Sequence, residues 1–347
     1  MKKIGFLSFG HWSPTQGSQH PTAAESVRGH VELAEAAERA GLDGAWIRVH
    51  HYEANLSSPF PLLAAMGART ERIELGTGVI NMRYENPLYM AEMAATTDLV
   101  SGGRLQLGVS RGSPEVVADG PGSFGYPLPS DKLPVEDAAE RIALFRRAIA
   151  GEGIAEPADS PYGHAPTLVD GKLAIQPQSP GLSKRIWYGA GGLESAQRVG
   201  ELGMNLMSST LVFGGDGEPL GTVQARQIAA FRESWAAAGH EGEPRVSVSR
   251  SIMPIVDDLT RTYFSGVAAQ DAMGANRDQV GIIDDQRATF GKTYVGEPDK
   301  IVDELLRDEG VMAADTILVT IPSQLGTELN ERTFEALAQH VRPALGD

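Results

Sequence analysis

The sequence of 347 residues contains no cysteine. Disulfides, thiolate-ligated metals and thiol nucleophiles are thereby excluded. Basic residues are scarce for the acidic content: 30 Lys and Arg stand against 45 Asp and Glu, a net charge of −15. That balance argues against nucleic acid and anionic membrane surfaces as partners. No apolar run approaches the ~18 residues that a membrane span needs. A β-patterned segment starts at Lys3 with no charged-apolar-small leader before it, so a cytoplasmic protein is expected. No H-E-x-x-H motif or His/carboxylate pair at ligand spacing occurs, and no metal site is expected.

What is present centres on Arg72–Gly112. Two β-patterned runs, Ile73–Val79 and Arg104–Ser110, flank a helix expected over Pro87–Val100. Such a βαβ unit makes the two strands parallel and brings their carboxyl ends side by side. Both ends carry small residues, Gly76-Thr77-Gly78-Val79 and Gly108-Val109-Ser110-Arg111-Gly112, which let a flat ligand approach the backbone. Ligands bind at such strand ends, so the active site is expected here.

The rest of the chain repeats this alternation. Strands are expected at Lys3–Phe9, Ala45–Val49, Arg185–Gly189, Met204–Ser208, Arg245–Ile255 and Asp315–Ile321. The other helices are expected at Glu25–Ala40, Pro59–Thr70, Val135–Ala150, Leu193–Leu202, Leu220–Ala238, Asp299–Arg307 and Glu328–Val341. Gly41 and Gly203 stop two of them. Residues Ser113–Pro134 read as an irregular loop. An insertion after helix four, Gly151–Lys184, holds a hairpin of Thr167–Val169 and Lys172–Ile175 about Asp170-Gly171. A second insertion, Asp257–Val295, follows strand seven. Eight strand-helix units imply one closed (β/α)8 TIM barrel domain over residues 1–347, with a doubly wound open sheet as the other topology.

Several motifs carry two readings. Gly108-Val109-Ser110-Arg111-Gly112 matches the G-x-S-x-G nucleophile elbow, with Asp315 and His340 in hydrolase order, although His340 falls inside the last helix. Gly191, Gly192 and Ser195 open helix five, where free amides suit a phosphate; a plain βα turn is the alternative. Arg111 suits a phosphate or carboxylate, or an ordinary ion pair. His50-His51 ends strand two, and strand alternation lets only one ring face the mouth, as a base or an anion donor, unless both are structural. His11 and Trp12 hold the same place after strand one. Asn81–Pro87 either lines the mouth or forms an Asn-Pro helix entry with a local Arg83–Glu85 pair.

Together these blocks resemble the bacterial luciferase-like family of flavin-dependent monooxygenases. The resemblance rests on His50-His51, Gly76–Ile80, Asn86-Pro87, Leu99–Gly112, the Gly189–Ala196 turn and Thr316–Ile321, and spans nearly the whole chain. It implies a barrel holding reduced FMN at the strand ends, with a non-proline cis peptide at Gly78-Val79 beneath the flavin ring. By resemblance Ser110 neighbours the flavin, and Arg111, Gly191, Gly192 and Ser195 bind its phosphate. His50 matches the catalytic histidine of luciferase, although Val49 stands where luciferase has glutamate. The resemblance further implies O2 activation by the cofactor, a small organic substrate and commonly a homodimer. No NAD(P)H site is evident, so a separate flavin reductase is the expected electron source. The segment Asp257–Val295 is a candidate lid. Relatives that use F420 for hydride transfer, and a flavin-binding protein without turnover, are the alternatives.

Overall fold

The computed structural model describes residues 1–112, 115–159, 168–215, 217–283 and 286–346. Ser113, where the irregular loop was expected to begin, Thr167 of the expected hairpin, and Asp347 lie outside the described residues. Eight parallel strands form the barrel: β1 (Lys3–Ser8), β2 (Gly44–Ile47), β3 (Glu74–Thr77), β4 (Leu105–Ser110), β5 (Ile186–Ala190), β6 (Asn205–Ser208), β7 (Val246–Pro254) and β8 (Thr316–Ile321). Each pairs with its neighbour in order, β6 reaches β7, and β8 pairs with both β7 and β1, so the sheet closes. The open doubly wound sheet is thus overturned.

The outer layer comprises α1 (Ala23–Ala40), α2 (Pro59–Arg69), α3 (Pro87–Val100), α4 (Pro134–Ile149), α5 (Leu193–Glu201), α6 (Leu220–Ala237), α7 (Pro298–Leu305) and α8 (Gly326–Ala336). Local chemistry sets several ends. Thr22 and Glu25 form a capping box at α1, and Gly41 closes it at φ 92°. Asn86 accepts from the amides of Leu88 and Tyr89, with Pro87 in the first turn of α3. Two buried faces differ from the apolar pattern. Val27 of α1 is exposed, whereas Ser26 and His30 are buried. Burial of His30 is tolerated because both ring nitrogens are bonded. Nδ1 donates to the Ser26 carbonyl and Nε2 accepts from the Ser8 hydroxyl, each at 2.6 Å. On α3, Tyr89, Leu99 and Val100 are exposed while Asp98 is fully buried, accepting from Ser179 Oγ at 2.6 Å and Arg185 Nη2 at 2.5 Å.

Side chains rather than a pore fill the barrel. Trp46 and Trp187 meet edge to face at 5.5 Å, packed with Leu7, Met207 and Leu318. Gly76 beside them is obligatory, since a Cβ there would sit 2.3 Å from the Trp46 ring. Below the tryptophans, at the amino ends of the strands, Gln106 accepts from Trp187 Nε1 at 2.9 Å. Arg245 grips Glu74 through two bonds of 2.9 and 3.0 Å, and Lys3 adds a third at 2.5 Å. Burial pushes the Glu74 carboxyl up, but Arg245 and Lys3 more than offset it and leave it below the usual range. This polar plug closes one end. Open space in the barrel axis is therefore left at the carboxyl ends.

Both insertions add antiparallel sheets. The described part of the first pairs Lys172–Ala174 with Leu168–Val169 and Gly153–Ala155. Asp170 and Gly171 both have positive φ, 50° and 79°, as a type I′ turn requires. The second forms a helix, Asp258–Ala272, and a hairpin of Gln279–Ile283 and Gln286–Phe290. That hairpin pairs with Leu211–Phe213, a short strand the sequence pattern did not reveal. Thr293–Gly296 then runs parallel to the upper half of β7. The segment is consequently anchored on two sides.

Candidate active site

A cavity of about 760 Å³ opens at the carboxyl ends of the barrel strands. Its floor follows from how β3 ends. Thr77 Oγ1 donates to the Gly108 carbonyl at 2.8 Å and accepts from the Gly108 amide at 3.0 Å, locking β3 to β4. The next peptide bond, Gly78-Val79, is cis. Around Val79 the neighbouring positions lack side-chain bulk. A Cβ on Gly189 would approach Val79 to 3.2 Å, and one on Gly78 would approach Leu7 to 3.0 Å. The result is a low floor bordered by Leu7, Val79, Ser110 and Met207.

One wall holds the βα turn after β5. Gly191 lines the cavity, and a Cβ there would come within 3.1 Å of the Phe213 ring. Gly192 caps α5, and Ser195 Oγ accepts from the Gly192 amide at 3.1 Å while donating to its carbonyl at 2.7 Å. The amides of Leu193, Glu194 and Ser195 occupy the first turn, where no carbonyl four residues back is available inside the helix. Arg111 lies at the end of β4, exposed, lining the cavity, and with no ion pair among the described residues. Burial raises the Tyr188 phenol, while Arg111, Arg198 and the Arg111 amide pull it back. Ser110 is buried, its Oγ accepting from the Gly112 amide at 3.1 Å.

The opposite wall departs from strict alternation. β2 ends at Ile47, and the chain then turns, with Tyr52 at φ 61°. Both His50 and His51 consequently line the cavity, rather than only one. His50 Nε2 accepts from Arg48 Nε at 2.7 Å, and its Nδ1 lies 3.2 Å from Glu53 Oε1. This pattern places the ring proton on Nδ1. Burial and then Arg48 lower the His50 pKa below its ordinary value, against the opposing pull of Glu53. His51 stacks on Tyr84 at 4.1 Å and meets Phe124 edge-on at 5.0 Å, and its buried Nε2 has no hydrogen-bond partner among the described residues. Glu115 accepts from Tyr84 Oη and from Asn81 Nδ2.

Of the expected residues, His50, Gly78, Val79, Ser110, Arg111 and Gly191 line one cavity, and Gly192 and Ser195 stand directly behind Gly191. Asn81 and Arg83 line it too, while Asn86 caps α3, so both readings of that loop hold. The local Arg83–Glu85 pair does not form; Arg83 instead lies 3.9 Å from Asp137 on α4. Phe9, not His11 or Trp12, forms the wall after β1. The hydrolase reading is overturned. Asp315 precedes β8 at the opposite end of the barrel from Ser110, accepting from the Val246 amide at 2.8 Å, and His340 is exposed on the helical turn Leu337–Val341. Arg48, Phe213 and Ile283 were not singled out from sequence. For Arg48 a signal existed: a charge inside the apolar run Ala45-Trp46-Ile47-Arg48-Val49. Among the described residues no group of three or more His, Asp or Glu could hold a metal ion. No helix there is long and apolar enough to cross a membrane.

Residues 7–263 match the family model described as luciferase-like monooxygenase. The 4-hydroxyprotoasukamycin monooxygenase of Streptomyces nodosus subsp. asukaensis is 27% identical over 386 aligned positions, covering 99% of this chain and 92% of that protein. The F420-dependent glucose-6-phosphate dehydrogenase of Amycolatopsis mediterranei (strain U-32) is 30% identical over 181 positions, covering 50% of each chain. Among solved structures, the oxygenating constituent of 3,6-diketocamphane monooxygenase from Pseudomonas putida, in complex with FMN, superposes with a TM-score of 0.70. It is 15% identical and covers 99% of both chains.

Proposed function

The chain belongs to the luciferase-like monooxygenase family, and from that premise we propose that it is a flavin-dependent monooxygenase using reduced FMN and O2 on a small organic substrate. The observation that carries the reading is the meeting, in one cavity, of a low glycine floor, a helix start with free amides and an arginine with no ion pair among the described residues. The floor at Gly78, Val79 and Ser110 suits a flat ring. Arg111, Gly191, Gly192 and Ser195 would hold the phosphate, since free amides and a guanidinium are its natural donors. When bound, reduced flavin supplies the electrons that activate O2.

This chain's own residues orient, shield and handle protons. Leu7, Val79, Met207 and Phe213 present apolar surface to the cavity and exclude water. His50 is the candidate catalytic residue. With Nδ1–H directed at Glu53, its accepting atom is Nε2, which Arg48 occupies in this arrangement. Its lowered pKa keeps it neutral near pH 7, the form a proton acceptor needs. The diketocamphane protein is itself an oxygenating constituent, and by analogy a separate reductase would supply the reduced flavin here. A cytoplasmic homodimer remains the expected setting. The similarity to an F420-dependent dehydrogenase favours hydride transfer from F420 as the second reading.

The test supplies the protein with FMN, a flavin reductase, NADH and ¹⁸O2 over a panel of small organic substrates. Incorporation of one ¹⁸O atom into a product supports the reading. Reduction or oxidation of a substrate without oxygen incorporation, using F420, would replace it.

A further inference from the structure

We propose that Arg48 binds a carboxylate of the organic substrate, so that organic acids are the substrate class of this site. The inference rests on the monooxygenase reading and specifies its substrate. Arg48 follows β2 and lines the cavity. Its guanidinium carbon lies 4.7 Å from the centre of the Phe9 ring, and its Nε donates to His50 Nε2 at 2.7 Å. Those two contacts fix the plane of the group. They use one of its five N–H donors. The Nη1 and Nη2 edge has no hydrogen-bond or ion-pair partner among the described residues.

Even a partly buried cation is costly unless an anion meets it, and Arg48 is partly buried. Among the described residues no carboxylate bonds to Arg48, and Glu53 supports its charge only through space. Glu53 faces His50 Nδ1 and Asn55 Nδ2, Glu115 is held by Tyr84 and Asn81, and Asp119 caps the Gly122 amide. The open guanidinium edge matches a carboxylate bidentately, a fit that an ammonium point charge does not offer. Position separates this cation from the flavin phosphate. Arg48 stands after β2, whereas Arg111 and Gly191 follow β4 and β5. At about 4.8 Å between neighbouring strands, that is a separation of roughly 10–14 Å. Phe9 and His51, which line the cavity, supply aromatic surface for an acid's carbon skeleton.

The test uses matched pairs, benzoate with methyl benzoate and octanoate with methyl octanoate. Binding is measured by calorimetry on flavin-free protein and by flavin absorbance on FMN-loaded protein. The wild type should bind at least one acid ten or more times tighter than its ester. Arg48→Gln should reduce that ratio to near one, while leaving FMN affinity within threefold. Arg48→Lys, which keeps the charge and serves if the glutamine variant fails to fold, should retain only part of the preference. Absence of any acid preference in the wild type, or its persistence in Arg48→Gln, overturns the assignment. A tenfold loss of FMN affinity in Arg48→Gln assigns Arg48 to the flavin and also overturns it. Acid preference in a protein that binds no FMN removes the monooxygenase reading and leaves Arg48 as the carboxylate site.

Discussion

Replacing Arg111 with Gln tests the phosphate end of the site, because the side chain has little structural work to lose. It is exposed and forms no ion pair among the described residues. Surface substitutions of that kind stay within about 0.5 kcal/mol of wild-type stability. A hydrogen bond to a charged group contributes about 1.5–3 kcal/mol. At 1.4 kcal/mol per decade, loss of the phosphate contact should weaken FMN binding by roughly 10- to 150-fold. The amides of α5 remain, so binding should be weakened rather than abolished. The assay is fluorescence titration with FMN and with riboflavin, which shares the ring and lacks the phosphate. Wild type should prefer FMN strongly, and Arg111→Gln should lose most of that preference while its riboflavin affinity stays the same. An unchanged FMN-to-riboflavin ratio would refute the placement of the phosphate at Arg111.

Three further outcomes are expected. His50→Ala should keep flavin affinity and lower oxygenation by ~100-fold or more; the acid limb of the wild-type rate should fall below pH 6.5, because the His50 pKa is lowered. A limb above pH 7, or unchanged turnover, removes His50 from the chemistry. His30 is buried neutral with its pKa lowered from 6.5 to about 4, so its contribution to stability is complete above pH 6.5 and is lost as pH falls toward 4. That loss amounts to on the order of 3 kcal/mol, and unfolding of His30→Gln by urea should show a shallower pH dependence over this window. Trp46→Ala should cost about 3–5 kcal/mol in urea unfolding, because the ring is fully buried against Trp187; a loss under 1 kcal/mol would contradict the packed-barrel account.

The features legible in the sequence are those with short-range causes. Gly41 ends α1 through its own left-handed backbone, Asn86-Pro87 starts α3, and Asp170-Gly171 makes its turn without help from distant residues. The eight-unit alternation sufficed for closure because each strand needs only its sequential neighbours, apart from the β8–β1 seam. What escaped depends on partners far along the chain. His30 is inside because Ser8 meets it across 22 residues, and Arg83 turns from Glu85 to Asp137, 54 positions on. Leu211–Phe213 becomes a strand only because Phe290, Thr289 and Ala288 pair with it. The alternation rule misplaced one of His50 and His51 because the strand stops at Ile47. Arg48 shares by alternation the inward face of Trp46, two residues earlier, so its place at the mouth was legible as a charge on the barrel-facing side of an apolar run.

The central claim is that this cavity takes reduced FMN. An anaerobic titration of the purified protein with reduced FMN and with reduced F420, read by fluorescence, tests it most directly. Reduced FMN should bind at least tenfold tighter than F420, in a one-to-one complex that Arg111→Gln weakens. Tighter binding of F420, or binding of neither, would contradict the account.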